Sequence, residues 1–322
     1  MSQDRIQLPD LEEVQAAARR IAPWCVRTPL IPFESDNPDV EIHLKLENIQ
    51  QMGAFNARAI CNVLLSAEPE QLEQGVYAVV SGNGGLALAW MARELELSAR
   101  VYMRDSTQTW MVEKIRKLGA SVELIPEDAW WQLIMDRGHT EEKAYYVDSL
   151  FGAEALAGYG TVVTELLEQL PSVETIVIPF GGGGLACGIA SVIKSLKSAT
   201  RLIIVECDTA TPLTSALESG NPVRVETRSS FITGTTAPAV LDDMWPLLSK
   251  LVDDSIVVSR DEVAYAVRKI LNEAHVAAEG AGALPLAAVL KDKGIKGKTA
   301  CLVSGGNIDA DMMSTILAGK TP

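Results

Sequence analysis

Residues 176–189 constrain this chain more than any other stretch: Ile-Val-Ile-Pro-Phe-Gly-Gly-Gly-Gly-Leu-Ala-Cys-Gly-Ile. An apolar run of strand character stops at Pro179. Four glycines follow (Gly181, Gly182, Gly183 and Gly184), and a helical pattern then runs from about Leu185 to Lys197. Residues without Cβ let the backbone close on a ligand and turn its amides inward. The helix start adds unpaired N–H groups and the positive end of its dipole. Strand, glycine loop and helix N-terminus together make a seat for a phosphate. A glycine run alone is equally a flexible turn. No Lys-Ser/Thr pair closes it as a P-loop requires, and the glycines lack the spacing of the dinucleotide fingerprint.

The rest of the chain keeps the same beat. A helix is expected over residues 10–21, capped by Asp10, with Leu11, Val14, Ala18 and Ile21 at helical spacing. Residues 24–32 read as a proline-broken loop, and 41–47 alternate as a half-exposed strand. Strand patterns near 76–80, 99–103, 121–125, 175–178, 201–206 and 299–303 alternate with helical ones near 56–66, 86–96, 108–118, 127–136, 161–169, 260–273 and 278–290. Residues 209–231 read as loop. Ser259 and Glu262 form a capping box. Strands alternating with helices predict parallel sheets covered on both faces. Ligands of such sheets bind where strands end and glycine loops begin. Three loops fit: 81–85, 181–184 and 304–307.

With 322 residues, the chain has room for two domains or one large α/β unit. A net charge of −14 argues against nucleic-acid binding, which relies on clustered Lys and Arg. Five scattered cysteines show neither metal spacing nor disulfide density and suit a reducing compartment. The start, Met-Ser-Gln-Asp-Arg, is polar, and no apolar run reaches membrane-spanning length, so a cytoplasmic protein is expected.

Seven segments in order then carry a resemblance. They are Lys45-Leu-Glu-Asn-Ile-Gln50, Ser81-Gly-Asn83, Leu118-Gly-Ala120, Gly158-Tyr-Gly-Thr161, the tetraglycine loop, Ala278-Glu-Gly-Ala-Gly-Ala283 and Ser304-Gly-Gly-Asn307. Together they resemble the fold-type-II pyridoxal-phosphate enzymes, specifically the threonine dehydratase and serine racemase group, over nearly the whole chain. The resemblance implies two parallel-sheet αβα domains of the tryptophan synthase β-like type with the active site between them. The larger would comprise residues 1–67 and 149–322, the smaller 68–148. It implies pyridoxal phosphate as cofactor, with its phosphate on the four glycines and Leu185. Asn83 would meet the ring 3-hydroxyl, Ser304 the pyridine nitrogen, and Phe55 and Gly234 the ring faces. Glu279 matches a carboxylate near the active site. A homodimer acting on a small hydroxy amino acid, by ammonia elimination or racemisation, is the family pattern.

The chain departs from the family pattern first at the lysine. The family's Schiff-base lysine lies in Ser-Phe-Lys-x-Arg-Gly, which here reads Ala54-Phe55-Asn56-Ala57-Arg58-Ala59. An amide is neither nucleophilic nor basic at neutral pH, so Asn56 can hydrogen-bond a ligand but cannot hold the cofactor covalently. Ser81 is the remaining candidate acid/base. Replacement of one lysine in an ordinary dehydratase is one origin; natural divergence is the other. Val80, Gly84 and Leu86 replace the serine, histidine and glutamine of the family's carboxylate-gripping loop, and Met52 and Ala54 replace Thr and Ser. One exchange would not bring these with it, which favours divergence. A non-catalytic protein binding pyridoxal phosphate, its amino-acid adduct or another phosphorylated metabolite is therefore the alternative to an enzyme. Glu206 and Ala210 fall where some relatives bind a divalent ion, but Pro212 takes a carboxylate position, so no metal is expected. Trp130-Trp131 reads as packing or a subunit contact.

Overall fold

In the computed structural model, which describes residues 6–196, 198–292 and 294–322, the chain forms two sheets. The strands are β1 (Leu30–Phe33), β2 (Val40–Leu46), β3 (Val76–Val79), β4 (Ala99–Arg104), β5 (Ser121–Ile125), β6 (Tyr145–Tyr146), β7 (Thr175–Pro179), β8 (Arg201–Cys207), β9 (Asp254–Val258) and β10 (Gly297–Val303). The larger sheet has the order β1-β2-β10-β7-β8-β9 and the smaller β5-β4-β3-β6. All pairings but one are parallel. Successive side chains of the central strands enter different cores. Ile176, Ile178, Leu202 and Ile204 join the core that extends to the smaller sheet, while Val177, Ile203 and Val205 join the other. Helices Leu11–Ile21, Asn56–Ser66, Ala153–Gln169 and Gly184–Ser195 pack on one another over the first face; Gly280–Lys291 crosses the strands on the second, backed by Arg260–Ala274. The parallel pairing is what the alternation predicted, and the two-sheet αβα architecture is what the resemblance implied. Asp10 and Ser259 cap their helices with full capping boxes.

The exceptions have physical causes. Residues 30–32, read as loop, fall in β1, antiparallel to β2 with Pro32 opposite His43. A proline, having no N–H to give, is tolerated at the outer edge of a sheet. β2 is not half-exposed: β1 and β10 flank it, and Lys45 at its end is fully buried. The helix expected from 161 begins at Ala153, because Gly158 and Gly160 lie inside it. A Cβ on Gly158 would sit 2.7 Å from Ala59 Cα, so glycine there lets two helices touch. The loop reading of 209–231 missed the helix Pro212–Ser219, and β6, β9, Trp245–Leu251 and Ala310–Leu317 also went unread. The expected end of the glycine-loop helix at Lys197 lies outside the described residues. No helix among those described is long and apolar enough to cross a membrane.

A buried ion cluster locks the segment that leads into the site. Arg58 is paired bidentately with Glu47, at 2.8 and 2.8 Å, and with Glu165, at 2.7 and 2.9 Å. Lys45 Nζ donates to Glu165 at 2.7 Å, to Thr28 O at 2.8 Å and to Gln169 at 3.1 Å. Burial works against the charge on Arg58, yet Glu47 and Glu165 raise its pKa further above the ordinary value. With both carboxylates satisfied, the start of Asn56–Ser66 is held rigidly.

Candidate functional site

The carboxyl ends of β3, β4, β7 and β10 converge on one cavity of about 1050 Å³, counted to its open mouth. Its lining brings together every site residue named from the sequence: Phe55, Asn56, Ser81, Asn83, Gly181, Gly182, Gly183, Gly184, Leu185, Gly234, Glu279 and Ser304.

The glycine loop is shaped as a cradle. Gly183 has φ +96° and caps the helix Gly184–Ser195, a backbone conformation that an L side chain rarely adopts. A Cβ on Gly181 would meet the Gly234 carbonyl oxygen at 2.8 Å, and one on Gly182 would meet Leu150 Cδ2 at 2.6 Å. The loop is thus pressed between residues 149–150 and 234, with a helix N-terminus directly behind it. That arrangement suits an anion.

Across the cavity, Asn83 opens the helix Gly82–Glu94. Its Nδ2 donates to Glu279 Oε1 at 2.6 Å, and its Oδ1 accepts from Asn307 Nδ2 at 2.9 Å. Asn307 donates also to Met52 O at 2.7 Å and accepts from Lys114 at 2.9 Å. The network ties the two sheet units together and leaves Asn83 one free N–H. Glu279 is half-buried. Burial pushes its pKa up to about 7 against the Asn83 bond, so it holds its proton to the edge of neutrality. Ser304 directly follows β10, and its backbone oxygen accepts from Phe55 N at 3.0 Å. The Ser81 side chain does not cap its helix.

Asn56 starts its helix beside Phe55, and its Oδ1 is shut from solvent without a hydrogen-bond partner. Such an atom is costly unless a ligand supplies a donor. Among the described residues no amine lines the cavity, Arg104 being its one cation; Lys45 is held in the ion cluster.

Several lining residues were not read from the sequence. Tyr159 packs its ring 5.2 Å from that of Phe55 and donates to Ser149 O at 3.1 Å. Burial raises its pKa above the ordinary phenol value, with Asn56 opposing, so it is a neutral donor. Its signal was only a helical tyrosine flanked by glycines. Trp130 and Trp131 are buried, as a packing role requires, but both also wall the cavity. Arg104 carried no motif at all. Of the three replaced grip positions, Gly84 and Val80 line the cavity, while Leu86 is fully buried outside it. Glu206 Oε1 accepts from Leu213 N, and its Oε2 from Thr214 N and Oγ1, at 2.7–2.8 Å, so both oxygens serve the start of Pro212–Ser219. No cluster able to hold a metal occurs among the described residues.

Comparison with known proteins agrees with this geometry. The family described as pyridoxal-phosphate dependent enzyme matches residues 21–306. The L-threonine ammonia-lyase of Thermotoga maritima is 33% identical over 97% of this chain and 78% of its own length. The L-threonine ammonia-lyase of Geobacter sulfurreducens is 33% identical over 94% and 77%. Among solved structures, maize serine racemase superposes with a TM-score of 0.88 at 28% identity, covering 97% of this chain and 98% of that one. The threonine deaminase of T.th. gives 0.81 at 30% identity, covering 94% and 99%.

Proposed function

This chain belongs to the pyridoxal-phosphate dependent enzymes, of the tryptophan synthase β-like fold type II, and we propose that it holds pyridoxal phosphate non-covalently. The observation that carries this reading is Asn56: its buried, unpartnered amide oxygen belongs to a residue lining the cavity, at the position the resemblance assigns to the family's lysine. The glycine cradle fits a phosphate, and a ligand N–H or O–H would satisfy the orphaned oxygen. In this reading the amides of residues 181–185 take the phosphate. Phe55 and Gly234 flank the ring, Ser304 meets the pyridine nitrogen, and the free N–H of Asn83 meets the 3-hydroxyl. Residues 68–148 form the smaller domain, and 1–67 with 149–322 the cofactor domain.

When bound, the cofactor supplies an electron sink for charge developing at an amino acid's α-carbon. The chain's own groups do the rest. Asn56 orients a ligand but moves no proton at neutral pH. Tyr159 stays protonated, and Glu279 is engaged by Asn83. Ser81 is left as the one hydroxyl on the loop of the smaller domain available to donate. Binding without turnover follows.

A second reading keeps the activity of the relatives: ammonia elimination or racemisation on a small hydroxy amino acid, with Ser81 as acid/base. Borohydride reduction of the cofactor-loaded protein, followed by mass spectrometry, separates the two. The unmodified chain is expected to lose the cofactor on denaturation, while Asn56→Lys retains it. Covalent retention by the unmodified chain would overturn the proposal. Threonine dehydratase activity gained by Asn56→Lys would mark a recently silenced enzyme; none would point to the altered loop at Val80 and Gly84. We expect a cytoplasmic homodimer, and light scattering tests the dimer.

A further inference from the structure

Apart from the loop that carries Ser81 and Asn83, the cavity's small-unit wall is apolar and aromatic (Val79, Val80, Trp130, Trp131, Ile134), with one charged exception. Arg104 ends β4, and its side chain is 14% exposed. Its guanidinium carbon lies 5.1 Å above the Trp130 ring, and Trp130 is itself held by donating to Val80 O at 3.3 Å. Arg104 Nη1 donates to Thr236 Oγ1 at 3.0 Å and Nη2 to Thr233 O at 3.3 Å. Glu127, its nearest carboxylate, stands at 3.4 Å, beyond a good charge-assisted bond, and is 42% exposed. Arg58 shows the contrast: buried, it holds two carboxylates bidentately at 2.7–2.9 Å. A guanidinium has five donors; apart from the 3.0 Å bond to Thr236 Oγ1, those that Arg104 makes, to Thr233 O, Glu127 Oε1 and Thr236 O, are long at 3.3–3.5 Å. It is a braced, planar cation on a cavity wall whose ion pair with Glu127 is long and partly exposed to solvent.

We propose that Arg104, stacked on Trp130 and hung from Thr233 and Thr236, is a specificity-determining residue that selects ligands carrying a side-chain carboxylate, so that the substrate-side pocket takes an acidic amino acid rather than a neutral hydroxy amino acid. The proposal deepens the cofactor reading by naming the ligand class at the same site. Planar bidentate recognition of carboxylate is what an arginine does best, and a low-dielectric aromatic wall strengthens it. The departures at Val80 and Gly84 leave the neighbouring loop without those side-chain donors, and Arg104 is the one cation among the described residues that line the cavity. Glu279, the one carboxylate in the lining, keeps its proton to about pH 7 and so offers little repulsion.

The test is calorimetric titration of L-aspartate and of L-asparagine, its near-isosteric neutral analogue, into the full chain, with and without pyridoxal phosphate. Arg104→Gln and Arg104→Lys are titrated alongside. Aspartate is expected to bind about tenfold or more tightly than asparagine. Arg104→Gln abolishes that preference while leaving asparagine affinity within about twofold, and Arg104→Lys keeps an intermediate preference because the charge survives without the fork. A merely structural strut would weaken both ligands alike. Equal binding of the two amino acids, or a preference that survives Arg104→Gln, overturns the proposal. If pyridoxal phosphate fails to bind but the Arg104-dependent preference persists, the cofactor reading falls and this one stands.

Discussion

Exchange of Gly183 for alanine separates the cradle's role in binding from its role in folding. Gly183 has φ +96°, and a Cβ there meets Leu248 Cδ1 at 3.3 Å, which a side chain can yield to. The cost is thus mainly conformational, about 1–2 kcal/mol for an L residue in left-handed space. Gly119, with φ +100° and nothing within 4 Å of a built Cβ, supplies the matched control away from the cavity. Gly183→Ala and Gly119→Ala are each expected to lose about 1–2 kcal/mol of stability in urea titration. Only Gly183 positions the first amides of Gly184–Ser195. Turning one amide from a phosphate removes a charge-assisted hydrogen bond, about 1.5–3 kcal/mol, or roughly 10- to 150-fold in affinity. Pyridoxal phosphate titration followed by absorbance reads that loss. If Gly183→Ala binds the cofactor as tightly as Gly119→Ala while showing the same loss of stability, the phosphate does not sit on this loop.

Glu279 should make stability pH-dependent. Its folded-state pKa of about 7 exceeds the ordinary 4.5, so the folded chain binds the extra proton and its stability falls as pH rises from about 4.5 to 7. The drop is at most about 3 kcal/mol, less where cavity water screens the charge. Glu279→Gln should match the parent near pH 5 and exceed it near pH 8 in denaturant midpoint; a constant difference would contradict the raised pKa. Arg58→Leu leaves Glu47 and part of Glu165 buried without their cation. It should cost about 3–5 kcal/mol, read by urea unfolding, and a loss under 1 kcal/mol would show the cluster to be solvated.

The legible parts of the site were those with local chemistry. The glycine run, Asn83, Glu279 and Ser304 each stand at the start of a helix or the end of a strand, where loop composition marks them. Asn56 was legible as a departure, since the motif around it survives. Arg104 and Trp130 were not, because an arginine at the end of an amphipathic strand and a tryptophan in a helix look alike whether they face a cavity or solvent. Lys45 misled for a related reason: alternation reads a lysine as exposed, and only the arrival of Glu165 and Gln169 from a distant helix permits its burial.

By itself the sequence determined the alternating α/β order, the glycine loop between a strand and a helix, and the absence of an amine at position 56, because each depends on residues adjacent in the chain. Tertiary structure alone decided that β1 runs antiparallel at an edge and that Gly158 marks a helix contact. It alone placed the helix at residue 82, the strand end at 104 and the turn at 233–236 around one cavity. Those outcomes depend on which surfaces meet across long sequence separations, and the energy of such meetings belongs to the pair rather than to either segment.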